Sequence, residues 1–328
     1  MANSTMLDKR TLGESNLKLT ALGLGCWQFS KGKGIAGRFW PTLSQQDINE
    51  IIVQTWQGGI NWFDTAEFYG MGQSEMALSQ ALHEAGIQPG QVNIATKWWP
   101  FPRRASSIRE TIGDRLRYLD GYPIDLYQVH QPYSLSGIDA QMHAMASLVH
   151  EGKIRYVGVS NYSAKQLRTA YHALQKEGVP LVSNQVKYSL LDRRIEHNGV
   201  LDTARELGIG IIAYSPLEQG LLTGKFHHDA TLGQSLTGAR RYQGKFKASG
   251  LQKTLPLIQE LETIAANYGV SATQVALNWL VNFHGTMVFA IPGASKIAQA
   301  KENIKALTFT LETEELARLD AVSLHAMK

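Results

Sequence analysis

The sequence predicts an α/β protein built as a (β/α)8 TIM barrel, with an N-terminal β-hairpin and a long loop after the seventh barrel strand. Three observations predict it. Eight short apolar, β-rich runs recur along the 328 residues, at 19–27, 61–66, 92–98, 124–130, 154–161, 181–188, 209–216 and 287–293. Longer stretches with helical spacing separate them, including 44–57, 73–84, 106–119, 163–176 and 255–268, several of which open on a Ser or Asp cap. Six of the runs also carry polar side chains near their C-terminal ends. Strand–helix alternation repeated eight times argues for parallel βαβ units, and eight such units close naturally into a barrel. An open doubly wound sheet is the competing architecture. Length alone would allow two domains. No shift in composition marks a boundary, so residues 1–328 read as one barrel domain.

Outside the repeat, residues 6–20 carry turn signals at Gly13 and Ser15-Asn16 and predict a hairpin ahead of the first barrel strand. Residues 217–254 form an insertion rich in Gly, Lys, Arg and His, and loops of that length are usually functional or disordered. An extra helical pattern at 271–282 precedes the eighth strand, and a final helix covers about 312–323.

Composition excludes several classes. Lys plus Arg is 32 against 28 Asp plus Glu, a net charge of +4, with no basic run of five, so no nucleic-acid partner is expected. The start of the chain is polar and no window approaches 18 apolar residues, which predicts a cytoplasmic protein with no membrane partner. The one cysteine, Cys26, permits no intramolecular disulfide and fits a reducing compartment. The histidines show no i, i+4 pair with a Glu, so no metal site is expected. Gly32, Gly34 and Gly37 match the letters of a dinucleotide fingerprint, but no helix pattern follows. Gly220, Gly224 and Lys225 imitate a phosphate loop with one residue too few between the glycines.

The strand ends carry the chemistry. Asp64, Lys97 and His130 end the second, third and fourth runs. Ser160-Asn161 ends the fifth, Gln185 lies late in the sixth, and Tyr214-Ser215 ends the seventh. In a barrel these ends converge on the face where active sites are built. A Lys beside an Asp keeps its charge, and an ammonium beside the nearby Tyr69 favours the phenolate. Such a Tyr can give a proton to a developing alkoxide, with a neutral His orienting the oxygen. These groups supply no electrons, so a hydride-carrying cofactor is expected.

Residues 61–70 (NWFDTAEFYG), 95–97 (ATK), 127–130 (YQVH), 158–162 (GVSNY) and 291–296 (IPGASK) resemble, in order, the motifs of the aldo-keto reductases. Residues 12–16 and 22–27 (LGLGCW) fit the same family, and residues 215–225 resemble the pyrophosphate-covering loop of its potassium-channel β-subunit-like branch. The resemblance spans about residues 10–310. It implies a barrel that binds NADPH and reduces a small-molecule aldehyde or ketone. Tyr69 would then be the general acid, Asp64 and Lys97 would tune its pKa, and His130 would orient the carbonyl. Gly25, Trp27, Asp64, Ser160, Asn161 and Gln185 would contact the cofactor, with Tyr214 stacked on its nicotinamide.

The resemblance further implies that Ser215, Pro216, Leu217, Gln219, Gly220 and Lys225, with Arg240 or Arg241, cover the pyrophosphate. Gly293, Ser295, Lys296, Gln299, Glu302 and Asn303 would hold the adenosine end, where Ser295 and Lys296 favour the 2′-phosphate. Trp27, Phe29, Trp98 and Trp99 are expected to wall the substrate pocket, joined by Phe39 and Trp40. The family branch often has an uncharged or acidic residue where Lys187 stands, and Lys187 shares a strand face with Gln185. Two other readings of these residues are a cofactor-sensing regulatory subunit and a non-redox barrel using Lys97 as a Schiff-base amine.

Overall fold

The structure is a computed structural model that describes residues 7–37, 39–229, 231–234, 236 and 242–327. A two-stranded antiparallel hairpin, β1 (Lys9–Thr11) and β2 (Lys18–Thr20), comes first. Eight strands follow as one parallel sheet: β3 (Leu24–Gly25), β4 (Trp62–Asp64), β5 (Asn93–Trp98), β6 (Leu126–Val129), β7 (Tyr156–Ser160), β8 (Leu181–Lys187), β9 (Gly210–Tyr214) and β10 (Val288–Ala290). Each pairs with its sequence neighbour, and parallel bridges Leu22–Ala290 and Gly25–Gly293 join the first strand to the last. The sheet therefore closes on itself, as eight βα units predict.

Helices cover the outside because their apolar stripes match the outward residues of the strands. Ser44, Ser163 and Ser271 each cap a helix through a reciprocal capping box with Asp47, Gln166 and Gln274, which fixes where those helices begin. The extra helix Ala272–Asn282 is buried along nearly its whole length beneath β10.

The barrel interior changes character along its axis. Trp62, Ala95, Leu126, Val182, Ile212 and Phe289 fill the lower part, where Leu12, Leu17 and Leu19 of the hairpin region close the bottom. Gly13 makes that closure fit: its φ is +49°, and a Cβ there would lie 2.3 Å from the Val182 carbonyl oxygen. Toward the C-terminal ends of the strands the interior becomes polar.

Three expectations are corrected. The insertion is not a featureless loop: short helical turns occupy Glu218–Thr223, Lys225–His228, Thr231–Gln234 and Gly244–Phe246, with a small core of Leu221, Phe226 and Phe246. The following helix spans Ala248–Tyr268 and runs through Pro256, seven residues earlier than its expected start at 255. The final helix, Thr313–Met327, extends past the expected 323.

Candidate active site

Strand alternation places the central groups. On β5, Ala95 and Lys97 face the barrel axis while Ile94, Thr96 and Trp98 face the helices. The Lys97 ammonium is fully buried, ion-paired with Asp64 and 2.9 Å from the Thr65 carbonyl, to which it donates. The second Asp64 oxygen accepts from Gln185 at 2.9 Å and from Gln128 at 3.2 Å. Three donors thus meet one buried carboxylate, which offsets the cost of keeping it charged. Gln128 was not foreseen from the sequence, although it precedes His130 by two residues and so shares its strand face.

Tyr69 stands on the loop after β4, with Lys97 Nζ 5.0 Å from its ring centre. Its ring packs edge-on to His130 at 5.6 Å and nearly parallel to Trp27 at 6.0 Å. Burial, reinforced by Asp64, pushes the Tyr69 phenol well above its ordinary value. This reverses the expected downward tuning: the Lys97 charge is already compensated at contact by Asp64. Burial lowers Lys97, with Asp64 opposing it, and burial together with Lys97 pushes His130 well below the ordinary imidazole range. At neutral pH the set is therefore a protonated phenol beside a neutral imidazole.

These groups open onto a cavity of about 510 Å³ on the C-terminal side of the strands. At one end lie Tyr69, His130 and an aromatic wall of Trp27, Trp40, Phe68 and Trp99. Its middle is lined by Gly25, Ser160, Asn161, Gln185 and Tyr214. Asn161, at φ +61°, accepts from the Tyr214 hydroxyl at 3.0 Å, and the Ser160 hydroxyl donates to the Gln185 carbonyl at 2.8 Å. The loop residues Ser215, Pro216, Leu217, Gln219, Gly220 and Lys225 flank it. Gly293, Ser295, Gln299, Glu302 and Asn303 line the far end, where Gln299 Oε1 accepts from the Ser295 amide at 2.7 Å.

The donor set suits an extended polar ligand. Gln28 Oε1 and Asn303 Nδ2, both on residues lining the cavity, are buried and have no partner among the described residues. Such atoms cost free energy unless something bonds them.

Three expected residues lie elsewhere. Trp98 points outward and its indole N–H donates to Ser107 at 3.0 Å, because alternation puts it opposite Lys97. Phe29 is fully buried in the core, since the short turn Trp27–Phe29 gives the cavity only Trp27 and Gln28. Lys296 is exposed and outside the lining residues. Phe39 stacks on Trp27 at 4.8 Å and backs the wall without lining it. Arg240 and Arg241 lie outside the described residues. Lys187 does not reach the cavity: it pairs with Glu218 at 2.5 Å and Asp192 at 3.2 Å.

A closed parallel barrel with this polar cluster at its C-terminal face defines an oxidoreductase of the aldo/keto reductase class. The chain belongs to the aldo/keto reductase family, whose model matches residues 21–324. It is 36% identical over 297 residues to Mb2320, an uncharacterized oxidoreductase of Mycobacterium bovis, covering 90% of this chain and 87% of that one. Among solved structures, the glycerol dehydrogenase AKR11B4 from Gluconobacter oxydans superposes with a TM-score of 0.83 at 29% identity, over 100% of this chain and 98% of that one. The thermostable aldo-keto reductase Tm1743, solved with the inhibitor epalrestat, gives 0.76 at 29% identity, over 96% and 99%.

Proposed function

We propose that this chain reduces aldehydes or ketones to alcohols with NADPH, and that Tyr69 is the general acid. The observation that carries the reading is the meeting of Tyr69, His130 and the Lys97–Asp64 pair at the aromatic end of a cavity whose far end is lined by Ser295, Gln299, Glu302 and Asn303.

When bound, NADPH supplies hydride to the carbonyl carbon. Ser160, Asn161 and Gln185 hold the nicotinamide amide, and Tyr214 presents its ring as a flat support. Residues 215–225 cover the pyrophosphate, and the Ser295–Asn303 segment takes the adenosine end, Ser295 and the nearby Lys296 favouring the 2′-phosphate. His130, neutral, donates from Nε2 to the substrate oxygen and orients it. Tyr69, held protonated by burial, gives its proton to that oxygen as negative charge develops. Lys97, 5.0 Å from the ring centre, holds the Asp64 carboxylate in an ion pair, so the phenol does not face an unpaired negative charge as it gives up its proton. The aromatic wall excludes water and favours apolar or aromatic carbonyls. The whole chain, residues 1–328, acts as one domain in the reducing cytoplasm, where the buried Cys26 needs no disulfide partner.

The test is NADPH oxidation followed by absorbance against a panel of aldehydes and ketones, with Tyr69→Phe alongside. Tyr69→Phe should lose about 10²–10⁴-fold in kcat, the usual contribution of a general acid. NADPH binding, read by fluorescence, should persist. Full activity in Tyr69→Phe would remove the phenol from the mechanism. Tight NADPH binding without turnover of any carbonyl would replace a reductase with a cofactor-sensing protein.

A further inference from the structure

We propose that Arg103 and Glu67 are positioning residues for His130, acting through the indole of Trp99. The functional part of this inference rests on the reductase reading above; the positional part rests on geometry alone.

Trp99 is the first residue after β5, and both polar groups of its backbone are gripped by charged side chains. Its N–H donates to Glu67 Oε1. Its carbonyl accepts from Arg103 Nε at 2.7 Å and from Nη2, and Nη2 also pairs with Glu67. The grip is anchored in the core. Glu67 Oε2 accepts from Arg115 at 2.6 Å, Arg115 Nε lies 2.9 Å from Glu75, and Glu75 accepts from Thr96 on β5 at 2.6 Å. Glu67, Glu75 and Arg115 are buried. A buried ion network adds little net stability, because desolvation offsets the attraction. What a planar guanidinium adds is direction.

That direction ends at His130. The Trp99 indole lies flat on Phe68, with ring centres 3.9 Å apart and planes 11° apart. Both rings meet the imidazole edge-on, Trp99 at 5.2 Å and Phe68 at 6.3 Å, while Tyr69 meets it at 5.6 Å from its own loop position. His130 Nδ1 is buried and has no hydrogen-bond partner among the described residues. The ring is therefore set by the aromatic edges around it and not by a hydrogen bond at Nδ1. Glu67, Phe68 and Tyr69 are consecutive, so the residue that clamps Trp99 also carries the stacked Phe68 and the proposed acid.

The experiment is a double-mutant cycle with two readouts. Arg103→Ala, Trp99→Ala and their combination are prepared with 13Cε1-labelled histidine, and the His130 signal is identified by its loss in His130→Gln. Trp99→Ala should shift that signal by removing a ring current. Arg103→Ala should shift it in the same direction, and the double variant should go no further than Trp99→Ala, since residues acting through one another are non-additive. In turnover, Arg103→Ala should lose about tenfold in kcat, as misplacement of a reacting group by a fraction of an ångström does. NADPH affinity should hold within about twofold, a margin set by the distance of the clamp from the adenosine end. Arg103→Lys, which keeps the charge and loses the fork, should fall between and guards against a failure of Arg103→Ala to fold. An unmoved His130 signal in folded Arg103→Ala or Arg103→Lys overturns the proposal, as do additive shifts. A shifted signal in a protein that reduces no carbonyl upholds the positioning and removes the reductase reading.

Discussion

Tyr69 and His130 share one surface, and burial acts on them in opposite senses. Burial raises the phenol and lowers the imidazole, so each is neutral across the ordinary range. The proposed reduction uses both in that state. Tyr69 keeps its proton until the pH exceeds about 10, and His130 gains one only well below about 6.5. The kcat for carbonyl reduction should therefore be flat from about pH 6.5 to about 10 and fall only outside it. Alcohol oxidation, which needs the phenolate, should rise through the same interval. Steady-state profiles in both directions check this; a reductive limb near pH 8 would assign the proton to another group. Asp64, Lys97, His130 and Gln185 were legible in the sequence because each interrupts an apolar run. Gln128 is not legible there, because a second glutamine in a strand carries no motif. Trp98 and Phe29 lie outside the cavity for a related reason: strand and turn direction, not aromatic type, decides which side a residue faces, and the neighbours Lys97 and Trp27 take the cavity side.

Between β8 and the loop after β9, the element that matters is held by charge. Glu218 is buried at φ +48°, followed by Gln219 at +60° and Gly220 at +94°. Backbone in the left-handed region persists where its surroundings impose it. Here the imposition is a carboxylate gripped by Lys187 at 2.5 Å and Lys245 at 2.6 Å, from β8 and from the far side of the insertion. Burial opposes the Lys187 charge, but Glu218 and Asp192 outweigh it and raise its pKa. Lys187→Met should free this loop. Losing one charge-assisted contact at a partly exposed site predicts a roughly fivefold to tenfold weaker NADPH complex, mostly through faster release. Stopped-flow fluorescence of NADPH release measures it; an unchanged rate would mean that Lys245 alone holds the loop. The length and basic character of the insertion were legible, but its folds were not. Turns of three to six residues are too short to leave a periodicity, and the helix expected from 255 begins at Ala248, with Pro256 as its ninth residue.

On the scale of the whole molecule, the barrel separates stability from chemistry along its axis. Eight runs of apolar residues were enough to predict the strand count. Closure could not be read from any one run, because it depends on Leu22 meeting Ala290 from the opposite end of the sequence. The hairpin was expected from its turn residues, and its task became evident only with the barrel around it: Leu12, Leu17 and Leu19 complete the lower core with Trp62, Leu126, Val182, Ile212 and Phe289. Leu12 is fully buried there, at the end of the strands away from Tyr69. Leu12→Ala would leave a cavity that the closed barrel cannot collapse around, since Val182 and Gly208 backbone already crowds Gly13 from the other side. A cost of about 3 kcal/mol follows from the Leu→Ala range for packed cores. Urea unfolding should show the midpoint fall by that cost divided by the slope, with the slope unchanged, while kcat and NADPH affinity at low denaturant stay as in the parent. A parallel loss of kcat in the folded variant would mean that packing at the base reaches the polar layer of Asp64, Lys97 and Gln128, and the two ends of the barrel would then have to be treated as one coupled core.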